Sequence, residues 1–318
     1  MTAPRTPEPA TEPFVHPALF YRGEEEYLDG TVPFIREGLK AGLPVAVAVP
    51  GRQLALLREG LDGDAASVYF VDMTEAGRNP GRIIPRVLRA FADAHPRTHV
   101  RIIGEPIWPG RSSVEYPACV QHEALINLAF QGRDVTILCP YDAEHLDEKV
   151  LTDAYATHPV IVSGGSGTWR PSPSYAPGEV IAHYNRPFPA APASAEPQLF
   201  GVDELPAVRH HAVARAARLG LSGVRLDDLA LAVAELTTNS VVHGGGSGSL
   251  RIWAEDGQVV CEVRDRGRLT DPLAGRRPAA RDQRGGRGLL LVHTVTDLVR
   301  THTGSDGTAV RVHLRIGR

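Results

Sequence analysis

Asp227–Gly244, DDLALAVAELTTNSVVHG, presents two distinct faces when wound as a helix. Leu229, Val233, Leu236 and Ser240 follow a helical period and face a core, while Glu235, Asn239 and His243 recur at i, i+4 and i+8 and share another face. Asn is a poor residue for the middle of a helix because its amide competes for backbone hydrogen bonds, and Thr237 and Thr238 weaken the helix further. Taken alone, the pattern fits a solvated Glu–Asn pair. It also fits side chains kept for a task.

The neighbouring segments bear on that choice. In VVCEVRDRG (259–267) a strand of alternating character ends in Asp265, followed two residues later by Gly267. A carboxylate at a strand end can accept from an exocyclic amine, and glycine lets a flat base approach the backbone. In RGGRGLLLV (284–292), Gly285, Gly286 and Gly288 precede an apolar helix, and free amides at a helix start cradle phosphate. GTAVRVHL (307–314) carries Thr308 into a last strand. Helices are expected near 205–219, 225–243 and 288–295. Strands are expected near 250–255, 258–265, 297–303 and 308–315, giving an α+β two-layer sandwich over 198–318 with helices on one face of an antiparallel-rich sheet.

In order and spacing, E-L-x-x-N, D-x-G, G-G-x-G-L and G-T resemble the conserved boxes of the Bergerat (GHKL) ATPases. ELPAVRHHAVARAARLGL followed by LAVAELTTNSVVHG is most similar to the anti-sigma-factor serine kinases. The resemblance implies ATP and Mg²⁺ as cofactors. It implies that Asn239 offers its oxygen to the metal and that Glu235 polarises a water or takes the proton of an attacking serine. Asp265 would read the adenine amino group, supported by Thr308, with Gly267 clearing space for the base. Gly285, Gly286 and Gly288 would hold the phosphates. Arg284 would neutralise charge on the γ-phosphate, with Arg287 as a competitor for that role. Many relatives read D-x-G-x-G, whereas Arg268 stands at the second glycine here. The implied partners are a sigma factor and an anti-anti-sigma (STAS) protein, and family analogy also implies a homodimer. The alternative is a nucleotide-binding, partner-switching module that never transfers phosphate.

The first half alternates strand-like runs (LPVAVAVP, ASVYFVDM, THVRIIGE, DVTILCPY) with amphipathic stretches, which argues for a mainly parallel α/β sheet over 14–170. Glu105 and Trp108 follow one strand, Tyr141 and Asp142 another, and Glu123 and Asn127 lie i, i+4 on a helix. Since ligands bind outside the carboxyl ends of parallel strands, these six residues are candidates for one sensor pocket. Caps and turns are the other reading, with Asp142 as an N-cap. FYRGEEEYLDGTVPFIREGLKAGLPV, GEPIW, EALIN, CPYD and HP resemble the MEDS sensory domain. That resemblance implies a RecA-like fold and a non-catalytic sensor of a small molecule.

Between the halves, 171–197 is dense in Pro, Ala and Ser and reads as a linker; MTAPRTPEPATEP (1–13) reads as a disordered tail without the apolar core of a signal peptide. The 318 residues carry a net charge of −3, which does not ask for nucleic acid or an anionic membrane as partner. Three widely spaced cysteines form neither a disulfide framework nor a zinc signature and suit a reducing cytoplasm. No apolar run is long enough to span a bilayer. There is no G-x-x-x-x-G-K-[ST] phosphate loop, and His210 and His211 lie on the first helix of the sandwich rather than on a dimerising hairpin.

Overall fold

Short apolar runs bounded by Gly and Pro become strands in the first half, and the longer amphipathic runs between them become helices. The computed structural model describes residues 14–163, 167–278 and 286–317. The chain divides into two compact units, Met1–Tyr184 and Asn185–Arg318.

In the first unit the order is β1 (Phe14–Val15), β2 (Pro17–Tyr21), α1 (Gly23–Lys40), β3 (Val45–Val49), α2 (Gly51–Leu61), β4 (Tyr69–Asp72) and α3 (Met73–Ala76). A 3₁₀ turn (Pro80–Arg82) and a π turn (Ile83–Leu88) then lead into α4 (Arg89–Ala94). Pro85, which has no N–H to give, sits inside the π turn. Next come β5 (Val100–Gly104), α5 (Tyr116–Ala129), β6 (Val135–Asp142), α6 (Glu148–Thr157), β7 (Val160–Ser163), β8 (Trp169–Pro171) and α7 (Pro177–Tyr184). The strands lie in the order β4–β3–β5–β6–β2–β7–β8, with β1 also paired to β6. All pairings are parallel except β7 with β8. All five residues of β3 and the first seven of β6 are buried, as expected of strands covered on both faces.

In the second unit, alternation along the strands sets the layers. The order is β9 (Gln198–Phe200), α8 (Leu205–Arg218), α9 (Val224–His243), β10 (Gly248–Glu255), β11 (Gln258–Asp265), α10 (Gly288–Val295), β12 (Leu298–Gly304) and β13 (Gly307–Arg315). The antiparallel sheet runs β12–β13–β11–β10–β9. Asp256 and Gly257, both at positive φ, make the two-residue turn between β10 and β11. Val259, Cys261 and Val263 of β11 and Val310, Val312 and Leu314 of β13 pack under Leu229, Val233 and Leu236 of α9 and Val208, Ala212 and Ala216 of α8. With a side-chain period of two, this register puts Asp265 and Thr308 on the helix-facing side as well.

The stretch 171–197, expected as a linker, is built into both units. Residues 177–184 form α7, whose Tyr184 hydroxyl donates to Asp153 of α6. The boundary between units falls after Tyr184, and the residues beyond it line the outer face of the antiparallel sheet. Ala195 packs with Trp253 and Val260, Arg311 donates to the Pro189 carbonyl, and Asn185 exchanges hydrogen bonds with Thr303 of β12. Prolines block helix but not this extended packing.

Candidate functional site

Glu235, Asn239, Asp265, Gly267, Gly286, Gly288 and Thr308 all line one cavity of ≈ 650 Å³ between α9, the ends of β11 and β13, and the start of α10. That volume lies within the roughly 300–1,000 Å³ usual for small-molecule sites. Arg284 and Gly285 lie outside the described residues. Arg287 lines the cavity, so of the two candidate arginines it is the one whose position is described.

A connected set of hydrogen bonds fixes the strand-end wall. Asp265 accepts from the Ser240 hydroxyl at Oδ2 (2.7 Å) and from the Gly267 amide at Oδ1 (2.8 Å). Each carboxylate oxygen has a second lone pair, so Asp265 keeps capacity to accept from an amine in the cavity. Thr308 donates to the Gly267 carbonyl at 2.9 Å, and Thr303 Oγ1 stands 2.9 Å from Thr308 Oγ1 while accepting from the Leu269 amide at 3.0 Å. Because the Leu269 amide occupies Thr303 as an acceptor and the Gly267 carbonyl takes the Thr308 proton, the Thr303 hydroxyl donates to Thr308. Ser240 was expected only on the core face. It is 1 % exposed and turns its hydroxyl to Asp265, and a lone polar residue on an apolar face was the available signal. Thr303 had no such signal, since it reaches the site only through its pairing with Thr308.

The opposite wall is set by glycines. A Cβ on Gly288 would lie 2.5 Å from Glu235 Oε2 and 3.5 Å from Asn239 Nδ2, so the ends of both helix-face side chains sit against the start of α10. Gly286 has φ +75°, a conformation that favours glycine. A Cβ added at Gly267 would lie 2.6 Å from the His243 carbonyl oxygen and 2.8 Å from Gly244 Cα, so glycine there permits the close approach of the residues after β11 to the end of α9. His243 also lines the cavity. Thr237, one of the two helix-weakening threonines, is buried and donates to the Val233 carbonyl at 2.8 Å.

The six sensor candidates of the first unit differ in their surroundings. Glu105 and Glu123 are both fully buried. Burial, with the Asp142 charge, holds the Glu105 carboxyl well above the usual carboxylate range beside Tyr21. Glu123 and Asn127 face His16 from α5. Tyr141 is buried with its ring 5.5 Å from that of His158. Trp108 is covered by the Arg111 guanidinium at 3.8 Å. Asp142 accepts from the amides of Glu144 (3.0 Å) and His145 (3.1 Å), so it caps a turn ahead of α6 rather than the helix itself.

Comparison with known proteins agrees with this division. The family model "MEthanogen/methylotroph, DcmR Sensory domain" (MEDS) matches residues 15–159, and "Histidine kinase-like ATPase domain" matches residues 201–314. The search of curated proteins found no match. Among solved structures, the chain is similar to the RsbU and RsbW domains of a Mycobacterium tuberculosis protein, with 20% identity, a TM-score of 0.29, and 39% of this chain and 33% of that chain covered. It thus spans about a third of that structure's length, covering 33% of it. It is also similar to the Acinetobacter baumannii histidine kinase AdeS, with 10% identity, a TM-score of 0.25, and 64% and 98% of the two chains covered. No helix among the described residues is long and apolar enough to cross a membrane. ATP is the nucleotide implied by the second match, and a cavity with an unsaturated carboxylate at one end and a glycine-bounded helix start at the other fits it. The chain therefore pairs a region that matches the MEDS sensory domain, residues 15–159, with one that matches the histidine kinase-like ATPase domain, residues 201–314.

Proposed function

We propose that the protein is an anti-sigma regulatory serine/threonine kinase. It uses Mg-ATP to phosphorylate an anti-anti-sigma (STAS) partner and is biased by the state of its sensor domain. The observation that carries this reading is the convergence of Glu235 and Asn239 from one helical face with Asp265, Thr308, Gly286 and Gly288 on a single cavity. Asp265, held by Ser240 and the Gly267 amide, accepts from the adenine amino group. The helix-start glycines let backbone amides approach the phosphates. Asn239 offers an oxygen to Mg²⁺, a hard cation that prefers oxygen ligands and neutralises phosphate charge when bound. Glu235, one helical turn away, takes the proton of the partner's serine hydroxyl. Arg287, and Arg284 outside the described residues, supply positive charge to the phosphates. In this reading the free kinase sequesters a sigma factor in the cytoplasm as a homodimer, and a small molecule at the MEDS domain shifts the balance between two states.

Incubation of the full chain with labelled ATP, Mg²⁺ and a STAS protein tests the reading. New phosphoserine that disappears in Glu235→Ala, with nucleotide binding retained, supports it. Nucleotide binding without phosphoserine on any STAS protein of the same cell would leave the partner-switching module instead.

A further inference from the structure

Four electron-pair donors meet in the interior of the first unit. His16, between β1 and β2, His158, just before β7, Cys139 in β6 and Glu123 in α5 are each buried, and one ligand atom from each lies within 4.8 Å of all the others. His16 Nε2 stands 3.3 Å from Glu123 Oε2 and 3.4 Å from Cys139 Sγ, and His158 Nε2 stands 3.1 Å from Glu123 Oε2. In a tetrahedral site with metal–nitrogen and metal–sulfur bonds of the usual length, ligand atoms sit roughly 3.3–3.7 Å apart.

The outer hydrogen bonds fix both ring tautomers. His158 Nδ1 lies 2.9 Å from the Ala154 carbonyl, which can only accept, so Nδ1 carries the proton. Asn127 Nδ2 donates to the carbonyls of Thr157 (2.8 Å), Ala124 (3.2 Å) and Glu123 (3.3 Å), which leaves Oδ1 to face His16 Nδ1 at 3.2 Å. A flipped amide would set its oxygen against three carbonyls. His16 Nδ1 therefore also carries its proton. With the rings neutral, both Nε2 lone pairs point at the Glu123 carboxylate, whose oxygens, like His158 Nε2, then lack a hydrogen-bond donor. A buried arrangement of lone pair against carboxylate is repulsive unless a proton or a metal ion lies between them, and the Cys139 sulfur beside His16 gives a metal ion a fourth ligand that a proton does not need. Imidazoles that give their outer N–H to a carbonyl or amide oxygen while turning the inner nitrogen inward are the arrangement that orients metal-bound histidines.

We propose that His16, Glu123, Cys139 and His158 bind one divalent transition-metal ion of the Zn²⁺ class within the MEDS domain. Two imidazoles, a carboxylate and a thiol suit a borderline-soft cation better than Mg²⁺ or Ca²⁺. Four protein ligands without exposure make a closed, structural site. The ion ties α5 to the three adjacent strands β6, β2 and β7. Binding releases the Cys139 thiol proton to solvent and leaves a thiolate–metal bond.

The test uses the full chain without nucleotide. Zn²⁺ content is measured after purification, and the chelator-stripped chain is titrated with Co²⁺. The expected result is one equivalent per chain, with visible bands of tetrahedral Co²⁺ and a thiolate charge-transfer band. Cys139→Ala, an apolar change in an apolar strand, removes the charge-transfer band while circular dichroism stays native. Asn127→Ala keeps the band but weakens Zn²⁺ binding roughly 10–100-fold, as loss of an outer-shell support does. Failure of the folded, stripped chain to take up Zn²⁺ or Co²⁺ would overturn the site. So would a Co²⁺ spectrum unchanged by Cys139→Ala.

Discussion

Ser240 of α9 donates its hydroxyl to Asp265 at the end of β11 across 2.7 Å, tying the helix that bears Glu235 and Asn239 to the strand end that faces the cavity. The bond orients one carboxylate oxygen while the Gly267 amide orients the other at 2.8 Å. Ser240→Ala should weaken ATP binding about fivefold, corresponding to about 1 kcal/mol for one hydrogen bond. Asp265→Asn removes the charged acceptor and should cost roughly 10–100-fold. Calorimetric titration of nucleotide into each variant checks the order, and equal affinities for Asp265→Asn and the parent would refute it.

Gly288→Ala separates stability from chemistry. The added methyl would meet Glu235 Oε2 at 2.5 Å, the free end of a flexible side chain, so the fold can accommodate it with a change within about 1 kcal/mol. The Glu235 carboxylate must move, and proton transfer is sensitive to displacements of about 1 Å. Phosphoryl transfer should fall about 100-fold while the melting temperature stays nearly unchanged. A destabilised Gly288→Ala chain with normal turnover would contradict this account.

Glu262 offers a pH signature. Its side chain is 1 % exposed and lies between Arg264 (2.5 Å) and Arg311 (2.6 Å). Burial alone would raise its carboxyl, but the two guanidinium groups outweigh it and hold the group below its ordinary value of 4.5. A lowered folded value means the stabilisation is complete above pH 4.5 and is lost as pH falls through the folded value. Glu262→Gln should cost about 1–3 kcal/mol at neutral pH, with the gap from the parent closing in acid. Unfolding curves across pH 3–7 would show it, and a gap that widens in acid would reverse the sign.

Where the ATPase fragment begins should matter. A fragment of residues 185–318 retains Asn185 on Thr303, Pro189 on Arg311 and Ala195 against Trp253, whereas 198–318 exposes that face of the sheet. The longer fragment should melt at least about 4 °C higher, consistent with about 1 kcal/mol for a domain of this size. Thermal denaturation of the two fragments decides the point.

Periodicity made much of the second unit legible. Alternation along 259–265 and 308–314 and the helical spacing of Leu229, Val233 and Leu236 are local patterns, and they set both layers and the orientation of Glu235 and Asn239. The first unit was less legible. PALFY became the interior strand β2 without the alternation of a half-buried strand, and EKVLTDAYAT became α6.

By itself, then, the sequence determined the two-layer sandwich, the faces of its helices and strands, and the order of the cavity's motifs, because side-chain direction follows backbone period within a single element. Only the tertiary structure decided which distant groups meet. It turned Ser240 toward Asp265, laid 185–197 on the outer sheet face, and brought His16 to Cys139 across 123 positions of chain. Those encounters depend on strand order and register, which long-range packing selects and no local pattern records.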